Sequence, residues 1–147
     1  MKKSILFLIA ALVLLPATIF AQPSKMLGKW YTIDEEGNRK SMVLITKNSN
    51  GIYEGTIEML LTGDPERLCV NCEGSEKNKP IKGLKIIKSL REDGSKLTGG
   101  TILDPANGKV YNCTISYDNK SGDLKLRGSL DKMGIIGRNQ IWKRVRD

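Results

Sequence analysis

No histidine occurs anywhere in the 147 residues. A Ser-His or Cys-His nucleophile and a histidine-ligated metal are therefore excluded. Cysteines number three, and with no histidine beside them three sulfurs fall short of a closed tetrahedral zinc site. After the first twenty-odd residues no apolar run is long enough to cross a bilayer, and no segment keeps a helical period with caps. A helix-built domain is thereby excluded, leaving room only for a short helix over 22–27 or in the one long loop. Carboxylates are present, but nothing in the spacing of Asp104 against Asp64, Glu66 or Glu73 selects an acid–base pair. No catalytic residue, metal or cofactor is assigned, and the chain reads as something other than an enzyme.

What is present begins with Lys2-Lys3, an apolar run from Ile5 to Leu15, then Pro16 and Ala17. That order of basic start, short apolar stretch and small residues predicts a signal peptide over 1–21, cleaved after Ala21 so that Gln22 comes first. Export to the periplasm or beyond is expected, with membrane contact only through the signal; no Cys follows the run to carry a lipid. The rest, 22–147, is of single-domain size. The net charge of the whole chain is +8, two units of which are Lys2 and Lys3; the rest is spread along the chain, with only Arg138, Lys143, Arg144 and Arg146 locally dense. Such an excess favours acidic partners in general, but it lacks the interleaved aromatics of a nucleic-acid surface.

Turn signals recur at Glu36-Gly37-Asn38, Asn48 to Gly51, Asp93-Gly94, Asn107-Gly108, Asn119 to Gly122 and Asp131 to Gly134. They separate runs rich in Val, Ile, Thr, Tyr and Leu, the mark of an antiparallel meander. Eight strands are predicted, over 29–34, 40–47, 51–61, 83–90, 96–104, 109–117, 123–130 and 135–145. Eight strands with short turns close on themselves, so the fold class expected is all-β, a single antiparallel up-and-down barrel.

Alternation sorts the faces. Tyr53, Gly55, Ile57, Met59 and Leu61 are expected inside, as are Tyr111, Cys113, Ile115 and Tyr117, and Leu124, Leu126, Gly128 and Leu130; 40–47 and 83–90 are ambiguous. Facing Trp142 inward brings Gln140 and Arg138 with it. A buried guanidinium needs carbonyls, carboxylates, an aromatic face or an anion. Arg138 is thus a candidate plug or, with Tyr53 and Tyr111, a polar anchor for a ligand whose tail meets Met59, Leu124 and Leu126.

Cys69-Val70-Asn71-Cys72 falls in the one long connection, 62–82, and Cys113 in a strand. Outside the cytoplasm a C-x-x-C usually closes a disulfide, leaving Cys113 over, although Cys72–Cys113 or Cys69–Cys113 would staple loop to barrel equally simply. The loop's Gly63-Asp64-Pro65, its polar stretch from Glu73 to Lys79, and Pro80 suit a pinned flap, expected across one barrel mouth.

Gly28-Lys29-Trp30 resembles the Gly-x-Trp of lipocalin-like barrels, where the indole plugs the closed end beneath an Arg from the last strand. The resemblance implies a plug of Trp30 with Arg138 or Arg144, and Trp142 is assigned to the same plug as a core aromatic. More of the chain, including Cys69 to Cys72, Lys77 to Gly83, Gly99 to Pro105 with Gly108 to Cys113, and Gly137 to Trp142, resembles domain-of-unknown-function family 2147. That family implies export and a lipocalin/calycin-like fold, with no activity to carry over. The function expected is the binding of a small apolar or amphipathic molecule in the barrel, the alternative being an envelope scaffold with a filled interior.

Overall fold

Short polar side chains set where the strands stop. Asp34 Oδ1 accepts from the N–H groups of Glu36 and Asn38, Asn48 Oδ1 from those of Asn50 and Ile52, and Asp118 Oδ1 from that of Lys120. Each such bond reverses the chain locally and so ends one strand and starts the next. In the computed structural model, which describes residues 23–146, these turns separate β1 (Gly28–Ile33), β2 (Arg39–Lys47), β3 (Tyr53–Leu60), β4 (Lys85–Asp93), β5 (Lys96–Asp104), β6 (Lys109–Tyr117), β7 (Leu124–Ser129) and β8 (Gly137–Arg144). The expected signal peptide lies outside the described residues. Every strand is antiparallel to the next and β8 returns to β1, giving a closed eight-stranded barrel. A 3-10 helix, Pro23–Met26, precedes β1.

One end carries the N-terminal 3-10 helix and the turns at 48–52, 94–95 and 118–123; the opposite end carries the turns at 34–38, 105–108 and 130–136 and the long 61–84 connection. Inside, Trp30, Val43, Ile45, Ile57, Ile87, Leu90, Leu97, Ile115, Leu124, Leu126 and Trp142 form one apolar core. The two strands whose faces were ambiguous resolve differently. In β2, Ser41, Val43 and Ile45 are buried in simple alternation. In β4 the pairing slips, Gly55 facing Ile87 while Thr56 faces Lys85, and Ser89 takes a left-handed φ of 62°. Two irregularities in one strand place Ile87 and Leu90 inside, a spacing no period of two reproduces.

A bulge also corrects β3. Val43 pairs with Ile57 but Met42 with Met59, so Glu58 is an extra residue and the alternation flips after it. Met59, expected inside, is exposed, and Leu60 is buried in its place. Leu61 and Leu130 were also expected inside; both lie just past a strand end and are exposed.

Closure is uneven. β7 and β8 pair along six residues each, whereas β1 and β8 pair only at Trp30 with Arg144 and Tyr31 with Lys143. Towards the 34–38 end the β1–β8 ladder goes no further.

Charges outside the barrel form pairs such as Lys29–Glu58, Lys85–Glu54 and Lys125–Asp118, each exposed enough that solvent screens most of its contribution to stability. They matter more for pH. The Lys125 ammonium and two backbone N–H groups hold Asp118 at about 2, and Asp34, Glu76, Glu92 and Asp131 are lowered by Asn38, Lys88, Lys47 and Ile135 respectively. A depressed carboxylate contributes stability that is complete above about pH 4 and lost as pH falls towards the folded-state value. We expect a thermal midpoint that is flat from about pH 5 to 8, where no histidine titrates, and falls steeply below about pH 4. A step near neutral pH in a series of melts would contradict this origin.

Candidate functional site

At the N-terminal end the barrel is sealed from both sides. Gly28 adopts φ 105°, and a Cβ there would lie 2.9 Å from Arg144 Nη1. The glycine therefore lets β1 approach the guanidinium closely. Arg144 lies over the Trp30 ring, 3.7 Å from its centroid, and donates to the Leu27 carbonyl at 2.6 Å and to the Lys25 carbonyl. Trp30 Nε1 donates to the Met26 carbonyl at 2.9 Å, and Tyr117 packs edge-on at 6.4 Å. Among the described residues no buried side-chain nitrogen or oxygen lacks a partner, as burial demands. Beside it Tyr53 Oη donates to Glu92 Oε1, which also meets Lys47 Nζ, both at 2.7 Å. Burial pushes the Tyr53 phenol up, so it remains a neutral donor at physiological pH.

The opposite half differs. Register places Gly100, Cys113, Gly128 and Arg138 in one inward row and Leu97, Ile115, Leu126 and Gln140 in the next. Ile102 and Tyr111 continue the inward face, opposite Ile87. Yet Ile102, Tyr111, Gly128 and Thr32 are only half-buried, and Gln140 and Arg138 are exposed. Water therefore reaches inward-facing side chains in this half. A Cβ on Gly128 would find Tyr111 Cβ at 3.5 Å and Ile102 Cγ2 at 3.8 Å, ordinary contacts that leave room above the glycine. The lining is mixed: Leu126, Ile102 and Leu60 are apolar, while Thr32 and Ser41 share a 2.7 Å hydroxyl bond and Tyr111 Oη accepts from Asn107 Nδ2 at 3.1 Å. Cys113 lies at the floor with its thiol pushed up to about 12 by desolvation, so it stays protonated and unreactive.

The structure thus divides the residues singled out from sequence. Tyr111, Leu126 and Arg138 gather at the mouth. Tyr53 and Leu124 lie in the sealed half, and Met59 is outside the wall. Of the two arginines Arg144 is the plug; Arg138 shares the inward register of Gly128 but lies past the end of β1, beside the 34–38 turn, 78% exposed and 3.9 Å from Glu35. Gly128 was read as inward from alternation in its strand but not as lining; Thr32, Ser41 and Ile102 were missed because a mouth is visible only once closure and register are known, alternation within β5 being the one available signal, for Ile102.

The long connection covers the wall rather than the mouth. Cys69 and Cys72 form a disulfide and Cys113 is free. Cys69 exchanges backbone bonds with Asn78 and Lys79, Asn71 Nδ2 donates to the Ala106 carbonyl, and Leu68 bridges Pro80. Between this flap and the outer face of β4 to β6 runs an open cleft of about 520 Å³, lined among others by Glu73, Ile86, Leu103 and Val110, with Lys88 tied to Glu76 at 2.8 Å. Among the described residues no group of three or more Cys, Asp and Glu could hold a metal.

The sequence profile described as "Uncharacterized protein conserved in bacteria (DUF2147)" matches residues 28–144, from the glycine of the plug to its arginine. Among solved structures the chain is similar to protein HP1028 of the human pathogen Helicobacter pylori, described as belonging to the lipocalin family. The identity is 24%, the TM-score 0.73, and the match covers 82% of this chain and 83% of that one. At that identity the likeness shows the fold alone. No curated protein matches this chain significantly.

Proposed function

The chain belongs to the DUF2147 family of uncharacterized bacterial proteins, and from that membership and its lipocalin-like barrel we propose an exported binding protein that acts without catalysis. Its ligand is a small amphipathic molecule, held by its apolar part in the mouth half of the barrel. One observation carries the reading: side chains that face inward in register, Ile102, Tyr111 and Gln140 among them, are open to solvent. An inward face that water reaches is a concave site with a few polar groups at its rim, the usual make-up of a ligand pocket. The sealed half limits depth, so the ligand is short. The ligand enters at the end that carries the 34–38 turn, and Arg138 beside that turn favours an acidic head.

Gly128 supplies the test. Gly128→Leu fills the mouth from inside on a strand that tolerates a side chain, so fluorescence titration with a short fatty acid and its alcohol should show binding to wild type and a loss of about tenfold or more in the variant, an effect of 1.4 kcal/mol or more. Its melting temperature should barely move. Arg138→Met should weaken the acid and spare the alcohol. If wild type binds neither, the barrel is a filled scaffold, a reading favoured by its fully packed closed half. Export is checked by the N-terminus of protein recovered outside the cytoplasm, expected at Gln22.

A further inference from the structure

The loop between β7 and β8 exposes four large apolar side chains within seven residues: Leu130 at 63%, Met133 at 83%, Ile135 at 70% and Ile136 at 63%. They are not exposed for want of order. Asp131 accepts from the N–H groups of Ile135 and Ile136 at 3.0 and 2.7 Å, and Arg127 donates to the Gly134 and Ile135 carbonyls at 2.5 and 2.9 Å and to Asn139 Oδ1 at 3.0 Å. A carboxylate and a guanidinium therefore hold the turn from its polar side, with its apolar side outward. A contiguous apolar patch presented in this way marks a surface that meets something apolar.

We propose that this hairpin is a membrane-docking tip that inserts into the surface of a bilayer rich in anionic lipid. Basic residues set the choice. Lys132 lies on the loop, and exposed Lys109 and Arg138 flank its base. The nearby acids compete weakly: Asp131 is turned onto the loop's own N–H groups, Asp104, opposite Lys109, accepts from the Ala106 N–H and forms no ion pair among the described residues, and Glu35 meets Arg138 only at 3.9 Å between two largely exposed side chains. Apolar tip and cationic collar together match the acyl boundary and the headgroup layer. A protein partner fits less well. Side chains this exposed stand clear of the surface, and four of them offer a few hundred Å², short of the roughly 800 Å² each partner brings to a stable interface. Docking does not require the barrel to hold a ligand.

The test uses the purified protein with vesicles of phosphatidylcholine alone or mixed with phosphatidylglycerol. Wild type should sediment with the mixed vesicles and not with the neutral ones, and added salt should release it. The double variant Ile135→Ser/Ile136→Ser should lose about tenfold or more in partitioning, and Lys132→Glu should weaken binding to mixed vesicles, both with unchanged melting temperatures. In Met133→Trp, tryptophan emission should shift to the blue when mixed vesicles are added, over the constant background of buried Trp30 and Trp142. Absence of binding to mixed vesicles, or equal binding by the double serine variant, overturns the proposal. So does a concentration-dependent dimer that the double serine variant abolishes, which would assign the tip to a second copy of the chain.

Discussion

Replacing Trp30 by alanine should destabilise the barrel by about 3–5 kcal/mol in urea unfolding, the range for removing a fully buried indole from a packed core. The loss here has a second part. Arg144 stacks on that ring at 3.7 Å, and without it the guanidinium faces a cavity with only the Leu27 and Lys25 carbonyls as partners. Trp30→Phe separates the contributions: it keeps a ring beneath Arg144 but removes the bond to the Met26 carbonyl, and should cost about 1–3 kcal/mol. A Trp30→Ala variant within 1 kcal/mol of wild type would mean that the closed end does not depend on its plug.

Gly108→Ala should be the most damaging glycine substitution outside the barrel core, and its effect should be local. Gly108 sits at φ 73° with its missing Cβ position 1.7 Å from the Asn71 carbonyl oxygen; Gly94 sits at φ 57° with nothing within 4 Å. Both alanines meet the left-handed strain of about 1–2 kcal/mol. Only Gly108→Ala must also push the flap off the β5–β6 turn, for a total of roughly 3 kcal/mol or more. The Cys69–Cys72 disulfide, buried beneath the flap in wild type, should then be reduced much faster by a mild thiol reductant. Equal reduction rates in the two variants would show that the flap is not held by this turn.

Strand number and order were legible because Asp-Gly and Asn-Gly dipeptides and short Asx turns mark hairpins by chemistry acting within four residues. Where a face depended on a bulge, the sequence was silent. Glu58 looks like any outward glutamate, yet as the extra residue of β3 it turns Met59 out and Leu60 in. Ser89, among the described residues the sole strand residue other than glycine with a left-handed backbone, likewise shifts the faces of β4, where the Lys88 carbonyl and the Ser89–Leu90 peptide approach Gly100 too closely for any Cβ. The mouth was harder still. Counting back from Trp142 gives Arg138 the register of Gly128, but whether such an arginine is buried depends on what lies beside it past the end of β1, where the 34–38 turn leaves it exposed next to Glu35. Conversely, Gly28, Trp30 and Arg144 form a plug that a local motif and one distant arginine announce together.

The two residue pairs that join β1 to β8 bring together positions more than a hundred residues apart. Such a contact carries the largest loop-closure entropy in the molecule and is expected to form last in folding. Trp30 pairs with Arg144 across that joint, so the ring-and-guanidinium stack acts as a clasp on a circular sheet as well as a stopper. Seven strands assembled as an open, curled sheet already bury most of the core; fastening the clasp turns the sheet into a ring. Thermal motion has the same hierarchy in reverse, because a short clasp releases before long ladders unzip. The barrel therefore breathes at its chain ends, with the first backbone amides to exchange from the wall being those of β1 and β8.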